Sequence, residues 1–138
     1  MIGESNAQSA FPQRDWFEAL RDAVATDAEL AVIGRWCTLD LALVAGEETV
    51  LLRLEGGRIS EIIPQPDIGT SWNVTLRGRH EDWLTFLQPV PPPFYHDLLA
   101  MNSRVPSFSI EGDRRVFVRH LHALGRIFRL AQQVGRHA

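Results

Sequence analysis

Residues 107–134 read SFSIEGDRRVFVRHLHALGRIFRLAQQV, and this stretch decides the fold. Phe108 and Ile110 alternate with Ser107, Ser109 and Glu111, the two-residue period of a half-buried strand. Gly112 stops the strand, and Asp113 is a good N-cap for the helix that follows. Phe117, Leu121, Leu124, Phe128 and Ala131 recur at spacings of 4, 3, 4 and 3. A second apolar row, Val116, Ala123, Ile127, Leu130 and Val134, lies beside the first. The apolar face is wider than a single packing seam needs, so the helix is expected either to close a core or to wall a pocket.

Upstream, the pattern predicts a helix from Asp15 to about Ala31, with Trp16, Leu20, Ala23 and Val24 on one face. Three strands follow. The first, Arg35–Val44, turns Cys37, Leu39, Leu41 and Leu43 one way. The second carries Val50, Leu52 and Leu54 inward. Glu55-Gly56-Gly57-Arg58 is a hairpin signal leading to the third, Arg58–Ile63, which Pro64 ends. A fourth strand, Ser71–Arg77, is expected to point Trp72, Val74 and Leu76 inward. Arg79-His80-Glu81-Asp82 opens a short helix carrying Trp83, Leu84, Phe86 and Leu87. The run PVPPP at 89–93 fits neither regular helix nor central strand, and Phe94–Met101 is read as a helical turn or two. The fold class is therefore α+β: helix, antiparallel meander, crossover helices, strand, helix. With no repeat or linker, residues 1–138 are expected to form one domain, with 1–11 loose.

Composition fits that reading. The chain has 138 residues, 45% hydrophobic and 22% charged, enough for a real core. No apolar run approaches a membrane span, and the N-terminus lacks the basic and apolar segments of a secretory signal. Together with a lone cysteine, Cys37, this leads to the expectation of a cytoplasmic protein without disulfide or multi-cysteine metal site. All 14 basic residues are arginine, which excludes Schiff-base and other lysine chemistry on a side chain. Residues 1–113 carry 17 acids and 8 arginines, a net of −9, whereas residues 114–138 carry 6 arginines and no acid. Arg115, Arg119 and Arg126 fall opposite the apolar face of the last helix. They form either a solvated face or a dock for an acidic protein partner, a sister subunit or an anionic membrane. The acidic chain, without a basic-aromatic strand motif, argues against nucleic acid.

The joints between elements resemble those of the sterol carrier protein type 2 domain family over roughly Arg35 to Leu130. The resemblance is carried by the Gly56-Gly57-Arg58 hairpin, by SWNVTLRG followed at once by HEDWLTFL, and by LLAMNSRVPSFSIEGDRRVFVRHLHAL. The turn before the last strand, Asn102-Ser103-Arg104, differs from the Gly-Lys the family usually carries, and the connection PVPPPFYHD is unusually rich in proline. The resemblance implies a five-stranded, mostly antiparallel sheet covered by helices on one face, with an apolar tunnel between the layers for a fatty acyl chain, a sterol or a similar molecule. The aromatic and apolar residues expected to face one another there are Trp72, Trp83, Phe86, Phe94, Met101, Phe108, Phe117, Leu121 and Phe128.

Catalytic motifs are sparse. There is no G-x-S-x-G, phosphate-binding Gly-rich loop or H-E-x-x-H. His96, beside Tyr95 and Asp97, is the best candidate general base, and His120 is a second candidate or a headgroup anchor at the rim of the apolar face. His120 and His122 are two apart and diverge on a helix, so they do not form a metal pair. Cys37 falls on the apolar side of its strand and reads as packing. The sequence thus predicts a carrier or binding protein for an apolar small molecule without cofactor. The alternatives are an enzyme or accessory subunit using a histidine, and an interaction module using the arginine face.

Overall fold

The computed structural model describes residues 10–137. Five strands form one sheet: β1 Leu39–Ala45, β2 Glu48–Glu55, β3 Arg58–Pro64, β4 Val74–Gly78 and β5 Ser109–Gly112. Their order is β3-β2-β1-β4-β5. β1 and β4 are parallel, with Leu41 opposite Val74 and Leu43 opposite Leu76, and the other three pairs are antiparallel. The parallel pair follows from topology, because the β2–β3 hairpin grows on one side of β1 and the chain then crosses over to its other edge.

The helices are α1 Arg14–Ala25, α2 Ala28–Ile33, α3 His80–Phe86, α4 Leu98–Arg104, α5 Arg114–Arg119 and α6 Leu121–Val134. The expected first helix is split in two. Asp27 leaves the helical conformation and its carboxylate accepts the Leu30 N–H, so it caps a second helix instead of continuing the first. The last helix is split as well, at His120, whose backbone is non-helical (φ −106°, ψ 16°). The turn expected at Phe94–Met101 begins later, at Leu98, where the Asp97 carboxylate accepts the Ala100 N–H at 2.8 Å. The start of the fourth strand moves from Ser71 to Val74, with a consequence for Trp72 described below.

Alternation in the strands holds. Leu39, Leu41, Leu43, Val50, Leu52, Leu54, Val74, Leu76 and Ile110 share one buried cluster with α1, α3 and α6. The opposite face carries cross-strand charges: Arg53 lies 2.8 Å from Asp40 and 3.3 Å from Glu61, and Arg77 lies 3.0 Å from Glu111. The two-glycine turn after β2 has positive φ at Gly56 and Gly57 (61° and 80°), as a tight hairpin requires. Gly57 also abuts α2's end: a Cβ there would sit 2.6 Å from the Gly34 carbonyl oxygen.

The reading of residues 1–11 as loose falls on residues 1–9 outside the described part, and it is corrected at the next two. Ala10 bridges His137, the Phe11 N–H donates to the Arg136 carbonyl at 3.0 Å, and Phe11 is buried. Its ring contacts Trp16, Phe17 and Trp83 with centroids 4.9–5.7 Å apart. An N-terminal aromatic therefore completes the core.

Three buried or partly buried carboxylates tie the elements together. Arg126 on α6 grips Asp27 with two hydrogen bonds of 2.7 and 3.0 Å, joining the last helix to α2. Asp82, buried in α3, accepts from the Arg79 guanidinium and backbone N–H and from the Ser107 hydroxyl at 2.7 Å. Glu111 accepts from Ser109 and Arg77. The Arg126 bonds hold the Asp27 carboxyl below its usual range. Burial pushes Asp82 up, but its hydrogen bonds outweigh that and the net shift is down; the Ser109 and Arg77 bonds lower Glu111. A depressed folded pKa stabilises the fold above the unfolded value near 4 and is lost as pH falls through the folded value. The urea midpoint is therefore expected to hold from pH 7 to about 5 and to fall steeply below about pH 4. Asp27→Asn should lower the pH 7 midpoint and flatten that acid limb, measured by urea unfolding at each pH.

Candidate functional site

The rings in the layer between sheet and helices centre on Trp83. It is fully buried, its indole N–H donates to the Val44 carbonyl at 2.9 Å, and its ring meets Phe11, Phe86, Phe108 and Phe128 at 5.6–6.2 Å. Met101 and Phe117 are buried in the same cluster. These side chains occupy the interlayer space.

To one side of this cluster lies a cavity of about 360 Å³. Its walls come from the end of α3 (Phe86), the segment entering α4 (His96, Asp97, Leu98, Leu99) and one face of α6 (Leu121, Gly125, Phe128, Arg129, Gln132). On α6 the lining includes an exposed glycine, Gly125. A Cβ built on Gly125 would meet nothing within 4 Å, whereas its helical neighbours Ala123, Leu124, Ile127 and Phe128 are buried. Glycine inside a helix costs up to about 1 kcal/mol relative to alanine.

The facing wall is fastened to α6 by polar side chains. The buried Gln132 donates to the carbonyls of His96 (3.1 Å) and Tyr95 (3.4 Å). Arg129 donates from Nη1 to the Pro89 carbonyl and to the Gln132 Oε1, both at 3.1 Å. The proline-rich connection is thus held to the last helix by its backbone carbonyls. Phe94 within it has φ 75°, is half exposed, and lies under the Arg104 guanidinium at 5.4 Å.

Of the nine residues expected to wall a tunnel, the fold brings Phe86, Leu121 and Phe128 to the cavity. Trp83, Met101, Phe108 and Phe117 are core. Phe94 stands outside the cavity lining. Trp72 lies on the opposite face of the sheet: it precedes β4, so strand parity does not fix its side, and its indole N–H donates at 2.8 Å to Thr75, which points away from Val74 and Leu76.

Among the candidate catalytic residues, His96 does reach the cavity, with Nε2 3.4 Å from Asp97 Oδ2. His120 sits at the α5–α6 break; burial and then the neighbouring Arg119 lower its pKa, favouring the neutral imidazole. Among the described residues the cavity lining holds no serine, threonine or cysteine, the side-chain nucleophiles of those types. Cys37 is buried in the core, with its thiol pushed up to about 11 by burial, which leaves it inert. Among the described residues no group of three or more His, Cys, Asp or Glu is placed to hold a metal ion. No helix of the described residues is long and apolar enough to cross a membrane.

The cationic face of the last helix is also revised. Arg126 is not free for a partner: it is spent on Asp27, with Glu29 3.7 Å away. Arg115 and Arg119 remain exposed, but on α5, across the break from α6. Gly125, Arg129 and Gln132 were missed as site residues. The signal for Gly125 was visible, a lone glycine inside a strong helical pattern. Gln132 carries no such signal, because a buried glutamine reads as surface on periodicity alone.

No protein-family model matches this chain, and no curated protein sequence does. Solved structures do. A conserved protein of Thermus thermophilus, suggested to be a sterol carrier protein, superposes with a TM-score of 0.70 at 12% identity, covering 92% of this chain and 91% of that one. A crystal structure of sterol carrier protein 2 gives 0.68 at 14% identity, over 88% and 96% of the two chains. A ubiquinone synthesis protein, UbiJ-SCP2, gives 0.55 at 12% identity, over 83% and 90%. The five-stranded mixed sheet with its covering helices is the sterol carrier protein 2 fold. At these identities the likeness is one of architecture.

Proposed function

We propose that this protein binds a single-chain apolar molecule in the cavity beside α6 and carries it by burial, without bond chemistry. The observation that carries the reading is the cavity itself, about 360 Å³ with Phe86, Leu98, Leu121 and Phe128 in its walls. Pockets of about 300–1,000 Å³ with apolar walls and a few polar groups are typical of small-molecule sites. An apolar cavity of about 150 Å³ takes benzene, so by proportion this one suits roughly a dozen carbon atoms. That is a medium acyl chain, or part of a longer one. The fold supports the reading, since structures described as sterol carrier proteins share it.

The exposed Val90, Phe94 and Leu99 on the segments around the cavity give an apolar ligand a greasy approach. The histidine at the rim serves as a polar contact in this reading.

The test is a titration with 1-decanol, a neutral chain. Burying ten carbons gains about 8 kcal/mol, and the cost of ordering the ligand offsets part of that gain. The expected result is saturable one-to-one binding with a Kd on the order of 100 µM. A response that stays linear up to the solubility limit would overturn the reading.

A further inference from the structure

We propose that the end of the sheet where β1 begins docks on an anionic membrane surface, with Trp36 and the arginines of α5 as its contacts. Backbone hydrogen bonds assemble that end from separate stretches of chain. The Gly57 N–H donates to the Cys37 carbonyl and the Cys37 N–H to the Gly34 carbonyl, so Arg35 and Trp36 lie beside the β2–β3 turn. The Asn73 N–H donates to the Asp40 carbonyl and the Asp113 N–H to the Asn73 carbonyl, so α5 starts at the same end. α2 finishes there too, one residue before Gly34.

Trp36 is 79% exposed, and the Arg35 guanidinium stands over its ring at 5.6 Å from the centroid. Val32 on α2 and Val118 on α5 are exposed as well. Five exposed arginines belong to these segments, Arg35, Arg58, Arg114, Arg115 and Arg119, and none has a carboxylate within 4 Å among the described residues. Arginines elsewhere are treated differently: Arg14 and Arg21 on α1 flank Glu18, Arg53 holds Asp40, and Arg77 holds Glu111. The carboxylates beside the five arginines are Glu55 in the turn and Asp113, whose oxygen accepts the first N–H groups of α5, so positive charge is in excess. The opposite end of β1 turns through Gly46 to the exposed Glu47 and Glu48.

This chemistry matches a bilayer carrying acidic phospholipid. Tryptophan settles at the headgroup level, where its ring meets the acyl boundary and its N–H stays wet. Each arginine close to an anionic leaflet raises partitioning about fivefold. The carboxylates at the far end of the sheet are repelled, which turns Trp36 toward the lipid. A protein interface has an apolar centre inside a polar rim. Here the exposed apolar side chains are few and spread over α2, the approach to β1 and α5, among cations, which suits a shallow foothold in headgroups. α5 ends at Arg119, and Leu121 of the cavity wall follows, so the docked end adjoins the cavity. The dock does not depend on what the cavity holds.

Co-sedimentation with vesicles tests the proposal. At low salt, wild-type protein should partition onto phosphatidylcholine vesicles containing about one-third phosphatidylglycerol about tenfold or more better than onto phosphatidylcholine alone, and high salt should erase the difference. Arg115→Gln with Arg119→Gln should lower partitioning onto the anionic vesicles about thirtyfold, and Trp36→Ala should lower it several-fold. All three side chains are exposed, so circular dichroism should report an unchanged fold. Arg14→Gln with Arg21→Gln removes the same charge from α1 and should change partitioning by about twofold or less. Equal partitioning of wild-type protein onto the two kinds of vesicle would overturn the dock. So would indifference to the α5 pair, or an equal loss from the α1 pair, which would put net charge and not this face in control. No vesicle binding, with salt-sensitive binding of poly-glutamate that the α5 pair abolishes, would overturn it in favour of an acidic protein.

Discussion

Replacing Gly125 with phenylalanine should abolish saturable binding of 1-decanol and leave the fold intact. Both effects follow from one geometric fact. The α-carbon of Gly125 faces the cavity, and nothing stands within 4 Å of the place its Cβ would occupy. A benzyl group there enters open space, not the core, and takes the room the ligand's chain would use. The backbone gains at the same time, since glycine is among the poorest helix formers. Gly125→Ala isolates that gain. It should raise stability by up to about 1 kcal/mol with little change in binding. A cavity that served only as a packing defect would give the same stability results and no binding to lose. Calorimetric titration and thermal unfolding of the three proteins check the set.

Trp83→Ala should have the largest effect on stability, about 3–5 kcal/mol, a large fraction of the roughly 5–15 kcal/mol typical of a folded domain. Trp83 is the hub at which the sheet, α3, α6 and the N-terminal segment meet. It contacts four aromatic rings and satisfies the Val44 carbonyl. Truncation removes the ring contacts, opens a void and strips a buried carbonyl of its donor. Trp83→Phe should recover much of the packing but not the hydrogen bond, and fall in between. Trp72→Ala provides the contrast. That indole is 36% exposed on the outer face of the sheet, and its loss should cost about 1 kcal/mol or less. Urea unfolding followed by circular dichroism measures all three.

The two tryptophans also mark how far sequence reading reaches. The element order, the strand alternation and the Gly56-Gly57 hairpin were legible because each rests on local chemistry with a period or a required φ. The inward rows Leu39/Leu41/Leu43 and Val50/Leu52/Leu54 lie where alternation puts them. Trp72 was assigned inward by extending that parity two residues beyond the start of β4, where no ladder enforces it. The helix breaks at Asp27 and His120 were hidden for a different reason. Apolar periodicity runs across both, and only capping and tertiary contacts end the helices there.

The cavity was the least legible feature. Aromatic residues at core spacing look the same whether they fill a centre or wall a hole. What separates Phe108 from Phe128 is the absence of a side chain at Gly125 and the fastening of the segment at 89–97 by Arg129 and Gln132. Those are relations between distant parts of the chain. The expected tunnel residues split accordingly, four into the core, three to the cavity and two to the surface.

The central claim is that the ligand site lies beside α6 and not in the layer against the sheet. A titration of ¹⁵N-labelled protein with 1-decanol, followed by amide chemical shifts, addresses it directly. The account predicts saturating shifts at Leu99, Leu121, Gly125 and the Gln132 side-chain amide, with the Trp83 indole and the amides of Leu41 and Leu52 nearly still. Shifts concentrated at Trp83, Leu41 and Leu52, with Gly125 and Gln132 unmoved, would contradict it.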